Sequence, residues 1–175
     1  MSRRMYRRSG YKRGPKYSSE TSTMNTTFDR TLAQWSQGCN ICMIPPTQMQ
    51  GMRKAKNFTL SFSKTLGDQP VFDTAIAFAL VYAPNSLEPS QLNIGTWTQQ
   101  TDNPQSFYEP NQNVIMSGII PANTNGRLEF KTRLARNLNS NDSIFLVMKT
   151  CTTGQNQQSP CNFSVCVSLN YAICY

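Results

Sequence analysis

The chain has 175 residues, and its 17 Lys and Arg outnumber its 9 Asp and Glu, while histidine is absent. That length suits one domain, and the sequence has no run of about 18 apolar residues that would predict a membrane-spanning helix. The absence of histidine excludes Ser-His-Asp and Cys-His nucleophiles, HExxH zinc sites and histidine metal ligands. We therefore expect a protein that is not an enzyme and that has no metal, no cofactor and no membrane partner.

The positive charge is concentrated at the N-terminus. Seven of the first sixteen residues are cationic and no acid precedes Glu20, so this segment carries +7 of the net charge of +8. Its cations are Arg3, Arg4, Arg7, Arg8, Lys12, Arg13 and Lys16. Acid-free clusters of this kind are typical of arms that bind nucleic acid, and the polar composition predicts disorder until the arm is bound. We assign residues 1–24 to this arm; the alternative is a solvated tail that only aids solubility.

The remaining residues, 25–175, predict a succession of β-strands. Apolar and polar residues alternate from Phe58 to Ser63, as expected for a half-buried strand. Over residues 75–82 both alternating rows are apolar, which predicts a strand in the middle of a sheet or at an interface. Further strands are predicted at residues 113–120, 127–134, 144–150 and 163–174, with weaker candidates at 27–34 and 38–44.

About eight strands without convincing helical periodicity predict an all-β sandwich or jelly roll. The longest connection, residues 84–111, is rich in turn-forming residues. Loops of that length are uncommon in compact domains, so we expect this one to be a functional surface element.

Four stretches resemble a known family. They are IPPT at residues 44–47 with QGMRKAKNF at 50–58, FALVYAP at 78–84, SFYEPNQNVIMSG at 106–118 and RLARNLNSNDSI at 133–144. Together with the basic arm, they resemble the capsid proteins of small circular single-stranded DNA viruses that encode a replication initiator, the circovirus-like viruses. The resemblance spans most of residues 1–150, and its last two stretches are the most specific.

The resemblance implies a single eight-stranded viral jelly roll, made of two packed antiparallel four-stranded sheets. It implies self-assembly of sixty copies into a T=1 icosahedral shell, with the arm facing inward to package circular single-stranded DNA. The arm would double as a nuclear localisation signal read by import receptors, which places the protein in the virion and in the host nucleus during assembly. An unidentified host-cell receptor is a further expected partner. The arm and domain are shorter than in animal circoviruses, so receptor-binding loop features are not carried over.

Two further groups of residues are candidates for binding. A second basic group precedes the strand at Phe58, and we expect it at the inner surface in contact with DNA; pairing with acids of a neighbour is the alternative. Its members are Arg53, Lys54 and Lys56. The charged row formed by Arg127, Lys131 and Arg133 is interpreted as a solvated face.

Large aromatic residues in or beside loops are candidates for subunit contacts, because a lone sandwich gains little from them there. They are Trp35, Trp97, Phe107 and Tyr108. The alternative is a loop that folds back over the core.

Six cysteines without a secretion signal are expected to be free thiols. Cys39 and Cys42 have CxxC spacing but lack the helix and βαβ setting of a redox motif. Cys151 and Cys161 flank a loop between two predicted strands and could face each other across a hairpin, so a disulfide stays open at that position. The remaining two lie on the outward row of the last strand, too far apart to bridge: Cys166 and Cys174.

Two other functions stay open. A secreted jelly-roll ligand or lectin would use the cysteines as disulfides and the arm for polyanionic glycans. A cellular nucleic-acid-binding protein of ribosomal type would carry basic charge across the whole fold. Against the second, removing the seven cations of the first sixteen residues leaves 10 cations and 9 acids in the rest of the chain.

Overall fold

A computed structural model describes most of the chain beyond the arm. The described residues are 16–30, 38–48, 51–66, 74–85, 87, 90, 92, 113–122, 124, 126–152 and 161–174. They form eight strands and, within these ranges, no α-helix. The strands are β1 (Ser18–Arg30), β2 (Gly38–Ile44), β3 (Arg53–Leu66), β4 (Thr74–Ala83), β5 (Asn113–Ile120), β6 (Arg127–Leu138), β7 (Ser143–Thr152) and β8 (Cys161–Cys174).

The strands form two antiparallel sheets of four. The first sheet has the order β1-β8-β3-β6 and the second the order β2-β7-β4-β5. The first strand therefore pairs with the last, the second with the seventh, the third with the sixth and the fourth with the fifth. This is the pattern of one long antiparallel hairpin rolled up on itself, which is a jelly roll. The predicted fold class is confirmed.

The alternation of the sequence decides which side chains face the core. In β8 every second residue from Phe163 to Ile173 is buried, and the intervening residues are partly or fully exposed. In β4 the residues of both rows are buried from Ile76 to Val81, and the strand lies inside the second sheet between β7 and β5. The prediction of a mid-sheet strand with two apolar faces is confirmed.

The core between the sheets is rich in phenylalanine. The rings of Phe62 and Phe78 lie 4.8 Å apart between centroids, and Phe130 packs edge-on against both. Gly118 on β5 lies beneath this cluster. A Cβ at that position would come within 2.9 Å of the Phe78 ring and 3.2 Å of the Phe130 ring. The glycine therefore allows two aromatic rings to close against the β5 backbone.

Strand β1 begins earlier than the sequence indicates. Ser18 pairs with Ile173, and the ladder continues without a break to Arg30 opposite Cys161. Residues 18–24, whose composition predicts part of a disordered arm, are therefore strand. They hydrogen-bond to β8 although their sequence, mostly Ser, Thr and Glu, shows no alternation of apolar and polar residues. The weak candidate at 38–44 is confirmed as β2, whereas the candidate at 27–34 overlaps only the end of β1.

Cys151 and Cys161 are not paired across a hairpin, which is a possibility that the sequence leaves open. Cys151 lies on β7 in the second sheet, whereas Cys161 begins β8 in the first sheet. The chain crosses from one sheet to the other here, so these two strands are not neighbours in a ladder.

A second apolar cluster covers the outer face of the second sheet. Its buried members on β4 are Ala77, Ala79, Val81 and Ala83, and they pack with Val147 of β7 and with Leu92 of the long loop. The Asn40 side chain donates to the Leu92 carbonyl at 3.0 Å and ties the loop to β2. The described part of the loop thus folds back over the sheet. The four aromatic residues predicted to make subunit contacts lie outside the described residues.

Candidate nucleic-acid interface

The outer face of the first sheet has a different composition. From Ser19 to Thr27 every outward residue of β1 is Ser, Thr or Asn, and the same types dominate the outward rows of β8 and β3. We call this surface the hydroxyl face. Its residues are Ser19, Thr21, Thr23, Asn25, Thr27, Thr59, Ser61, Ser63, Thr65, Ser164, Cys166, Ser168, Asn170 and Ala172.

Several of these side chains are held by their neighbours across the ladder. The Thr21 hydroxyl donates to Asn170 Oδ1, and the hydroxyls of Thr27 and Ser164 lie 3.2 Å apart. Cross-strand pairs of this kind fix the rotamers of short polar side chains. The result is a surface of small hydroxyl and amide groups, whose exposed members can still donate and accept further hydrogen bonds, although Ser61 within it is buried.

Cations border the hydroxyl face where β1 begins. Lys54 and Lys56 lie on the outward row of β3, opposite Cys174 and Ala172 of β8. The Lys56 ammonium lies 3.7 Å from the centroid of the Tyr17 ring, a cation–π contact across β8. Lys16, next to Tyr17, is exposed. We call Lys16, Tyr17, Lys54 and Lys56 the arm root, because the basic N-terminal segment joins the fold there.

A second border is the β6 edge, where charges alternate. Glu129 accepts from Arg127 and Lys131, each at 3.1 Å, and these two cations are more than half exposed. The hydrogen bond and charge of Lys131, and secondarily the charge of Arg127, lower the pKa of Glu129 below its ordinary value. Arg127 also donates to the Ser61 hydroxyl at 2.9 Å. This solvated row of charge was anticipated from the sequence, although its internal pairing through Glu129 was not.

Arg53 does not belong to the interface. Its side chain is only 6% exposed, and its guanidinium donates to the Pro45 carbonyl at 3.3 Å and to the Asp142 carbonyl at 3.1 Å. The expectation that Arg53 contacts DNA is therefore wrong: it joins two backbone segments inside the fold. Lys54 and Lys56, from the same basic group, do face outward.

Asp142 forms the other half of this buried junction. Its carboxylate accepts from the Tyr82 hydroxyl at 2.6 Å, from the Asn139 amide at 2.7 Å and from the Asn85 amide at 3.2 Å. Burial, with the hydrogen bond and the charge of Asp142, raises the pKa of Tyr82 to about 12. Asp142 follows the turn at residues 140–141, and its bonds to Tyr82 and Asn85 come from a separate part of the chain.

The predicted nucleic-acid contacts thus divide into three sets. Lys16, Lys54 and Lys56 are brought together at the arm root. Arg53 is buried and structural. The remaining arm cations lie outside the described residues, and they are Arg3, Arg4, Arg7, Arg8, Lys12 and Arg13.

Four cysteines of the described residues are free thiols: Cys39, Cys42, Cys166 and Cys174. The CxxC pair lies on a strand, β2, rather than at a helix N-terminus, and burial raises the pKa of both its thiols. Such thiols are poor nucleophiles, so the redox interpretation finds no support. Within the described ranges, His, Cys, Asp and Glu form no group of three that could hold a metal ion. None of the described residues forms a helix able to cross a membrane.

Comparison with known proteins gives structural matches but no sequence match. No protein-family model and no curated protein sequence matches the chain. A solved structure of the empty head of turnip yellow mosaic virus, determined at 100 K, is similar to it with a TM-score of 0.38 and 14% identity. The match covers 90% of this chain and 82% of the viral chain. Because so low a TM-score does not establish a shared fold, the assignment as a jelly roll rests on strand order and register.

Proposed function

We propose that this chain is a structural, non-enzymatic shell protein that self-associates through its jelly roll and holds single-stranded nucleic acid with its basic N-terminal segment. The observation that carries the proposal is the separation of charge. The first sixteen residues hold +7, and they join the fold at an arm root where Lys54 and Lys56 continue the positive charge. A polyanion guided by the arm would meet further cations on the folded domain.

The binding mechanism is release of counterions. Each Arg or Lys that neutralises a phosphate frees a condensed cation, so affinity depends on salt and little on sequence. For seven charges on single-stranded DNA, the slope of log K against log salt is about −5. Raising the salt from about 50 to about 200 mM would then weaken one arm by roughly a thousandfold. Display of many arms inside one shell would offset this loss through effective concentration.

The finer features of the proposal follow from the family resemblance. They are a T=1 shell of sixty copies, circular single-stranded DNA as cargo, and an arm that serves as a nuclear localisation signal. Exposed apolar side chains are candidates for contacts between subunits of such a shell. Within the described residues, the large ones are Met24, Met52, Ile119 and Leu134.

The test is electron microscopy of the purified full chain, combined with its nucleic-acid content. Wild-type protein is expected to form uniform closed particles that contain nucleic acid. A variant with the six cations of residues 1–15 replaced by Gln should form particles with little nucleic acid. The matched control keeps the composition of residues 1–15 but permutes their order, and it should load normally because counterion release depends on charge rather than order.

The variants change only residues 1–15 and do not delete the arm, because β1 begins at Ser18. Deleting residues 1–24 would remove half of an edge strand and confuse folding with binding, whereas changes limited to residues 1–15 leave the ladder intact. Normal loading of the neutralised variant would refute the role of the arm. A wild-type protein that stays monomeric at every concentration and salt tested would refute the shell.

A further inference from the structure

The hydroxyl face lacks charge over an unusually large area for the outer face of a sheet. From Ser19 to Thr27 on β1 and from Ser164 to Ala172 on β8, no outward residue is charged or large and apolar. Solvated surfaces normally carry about 25–35% charged residues of both signs. An exposed edge strand such as β1 is usually protected by lysine or other charges. The composition of this face therefore departs from that of a surface adapted to water alone.

The same composition differs from that of an interface between proteins. The centres of such interfaces are enriched in aromatic residues, Met and Arg, and depleted in Ser. Short hydroxyl and amide side chains are instead common donors to phosphate oxygens and sugars, where they position a nucleic acid without reading its sequence. Small side chains also let an extended backbone approach the sheet closely.

We propose that the hydroxyl face is the surface against which the phosphodiester backbone lies after leaving the arm root. This inference rests on the proposed function and extends it from the arm to the folded domain. Lys54 and Lys56 would hold the backbone where β1 begins, whereas Arg127 and Lys131 on the β6 edge are already paired with Glu129. Beyond the two lysines, the exposed hydroxyls and amides of β1 and β8 would donate to phosphate oxygens. In a closed shell the first sheet would then face the cargo, and the loop-covered second sheet would face away from it.

Two native thiols provide a direct test on the unmodified full chain. Cys166 is exposed within the hydroxyl face, and Cys42 is exposed on β2 of the second sheet. Their alkylation by iodoacetamide is measured for each peptide by mass spectrometry, with and without a single-stranded oligothymidylate of 20 nucleotides. The oligonucleotide should slow alkylation of Cys166 several-fold and leave Cys42 unchanged. The alkylation rate of each thiol with the oligonucleotide is compared with its own rate without it, so the raised pKa of Cys42 does not bias the result.

A matched pair of variants tests the same surface by charge. Thr23 is exposed on β1 opposite Ser168, in the middle of the face. Thr23→Glu should weaken oligothymidylate binding about fivefold relative to Thr23→Gln, because only the first adds an anion beside the phosphates. The two replacements have the same shape, so a role of the face in protein contacts would make both assemble poorly to the same degree.

The outcomes separate this inference from the function on which it rests. If the oligonucleotide binds with the salt dependence of the arm but leaves Cys166 unprotected and both Thr23 variants equal, the inference is wrong and the proposed function stands. Equal protection of Cys42 and Cys166 would also overturn it, since the effect would then come from assembly. If the full chain binds no oligonucleotide, both proposals fail.

Discussion

The two sheets share one core but present opposite outer faces. On the second sheet, the outward residues of β4 are alanine and valine, and the loop residue Leu92 covers them. On the first sheet, the outward residues are small and polar, and they are bordered by cations. Both sheets contribute buried apolar side chains to this core. Burial of the core therefore does not explain the difference between the two outer faces.

The outer face of the second sheet is covered by the chain's own loop, whereas the outer face of the first sheet is exposed. Ala79 on the second sheet is 1% exposed, whereas Ser63 on the first sheet is exposed. An outer face that is already buried within one subunit has its contacts satisfied. An outer face of hydroxyls and amides keeps hydrogen-bonding capacity available for a polar ligand.

The largest expected effect comes from placing the same charge on each face. Ala79→Lys should lower the free energy of unfolding by about 3–5 kcal/mol, or prevent folding, because an ammonium would be buried without a partner. Ser63→Lys should change it by less than about 0.5 kcal/mol, as expected for an exposed position. Urea unfolding followed by circular dichroism measures both. Equal tolerance of the two lysines would show that the loop does not seal the second sheet.

The next effect separates two neighbouring cations that the sequence groups together. Arg53→Gln should cost roughly 1.5–3 kcal/mol of stability, because buried carbonyls lose a charged donor, and it should leave the salt dependence of nucleic-acid binding unchanged. Lys54→Gln should leave stability unchanged and reduce the magnitude of the salt slope by about 0.7. Fluorescence anisotropy with oligothymidylate at several salt concentrations measures the slope. A reversed pattern would mean that Arg53 faces the ligand.

A smaller effect is expected from replacing two glycines of the second sheet. One lies against the aromatic cluster of the core and the other on an edge strand. Gly118→Ala should destabilise by about 1–2 kcal/mol, because its Cβ would come within 2.9 Å of the Phe78 ring. Gly38→Ala, on the edge strand β2, meets only the Met148 carbonyl at 3.6 Å and should be neutral or slightly stabilising. Thermal unfolding of the two variants provides the comparison. A neutral Gly118→Ala would mean that the aromatic cluster is loosely packed.

The smallest effect concerns pH at the buried junction. The pKa of Tyr82 is about 12 in the folded protein and about 10 in an unfolded chain. Stability from the protonated phenol is therefore complete below pH 10 and is lost as the pH rises from 10 to about 12. Over that interval wild type should lose more stability than Tyr82→Phe. Only wild type has a phenol at residue 82, and that phenol ionises when the protein unfolds. Urea midpoints across this range would detect the difference, and identical pH profiles would contradict it.

The sequence predicted most of the fold because alternation is a local signal. Phe163 to Ile173 and Phe58 to Phe62 specify strands without reference to the rest of the chain. The first half of β1 gave no such signal, since its inward residues Ser18, Glu20 and Ser22 are polar. Those residues become strand through hydrogen bonds to β8, a partner from the other end of the chain.

The candidate site was predictable only where charge alone decides. Lys54 and Lys56 face outward, and their contact with nucleic acid stays a prediction, whereas Arg53 was misassigned because its partners are carbonyls at Pro45 and Asp142. No local pattern marks an arginine that bonds to distant backbone. The hydroxyl face was also missed, because short polar residues are a weak signal until three strands place them side by side.

The irregularity at Asn57 in β3 determines how this segment responds to insertions and deletions. It adopts a φ of 56°, and the pairing of β3 with β8 slips by one residue between Lys56 and Thr59. Even-numbered residues point outward before the slip and inward after it. Without that extra residue, both lysines would project into the core and Ala55 would project towards solvent. A single codon deletion here would therefore turn the strand inside out, so this segment should accept substitutions far more readily than changes in length.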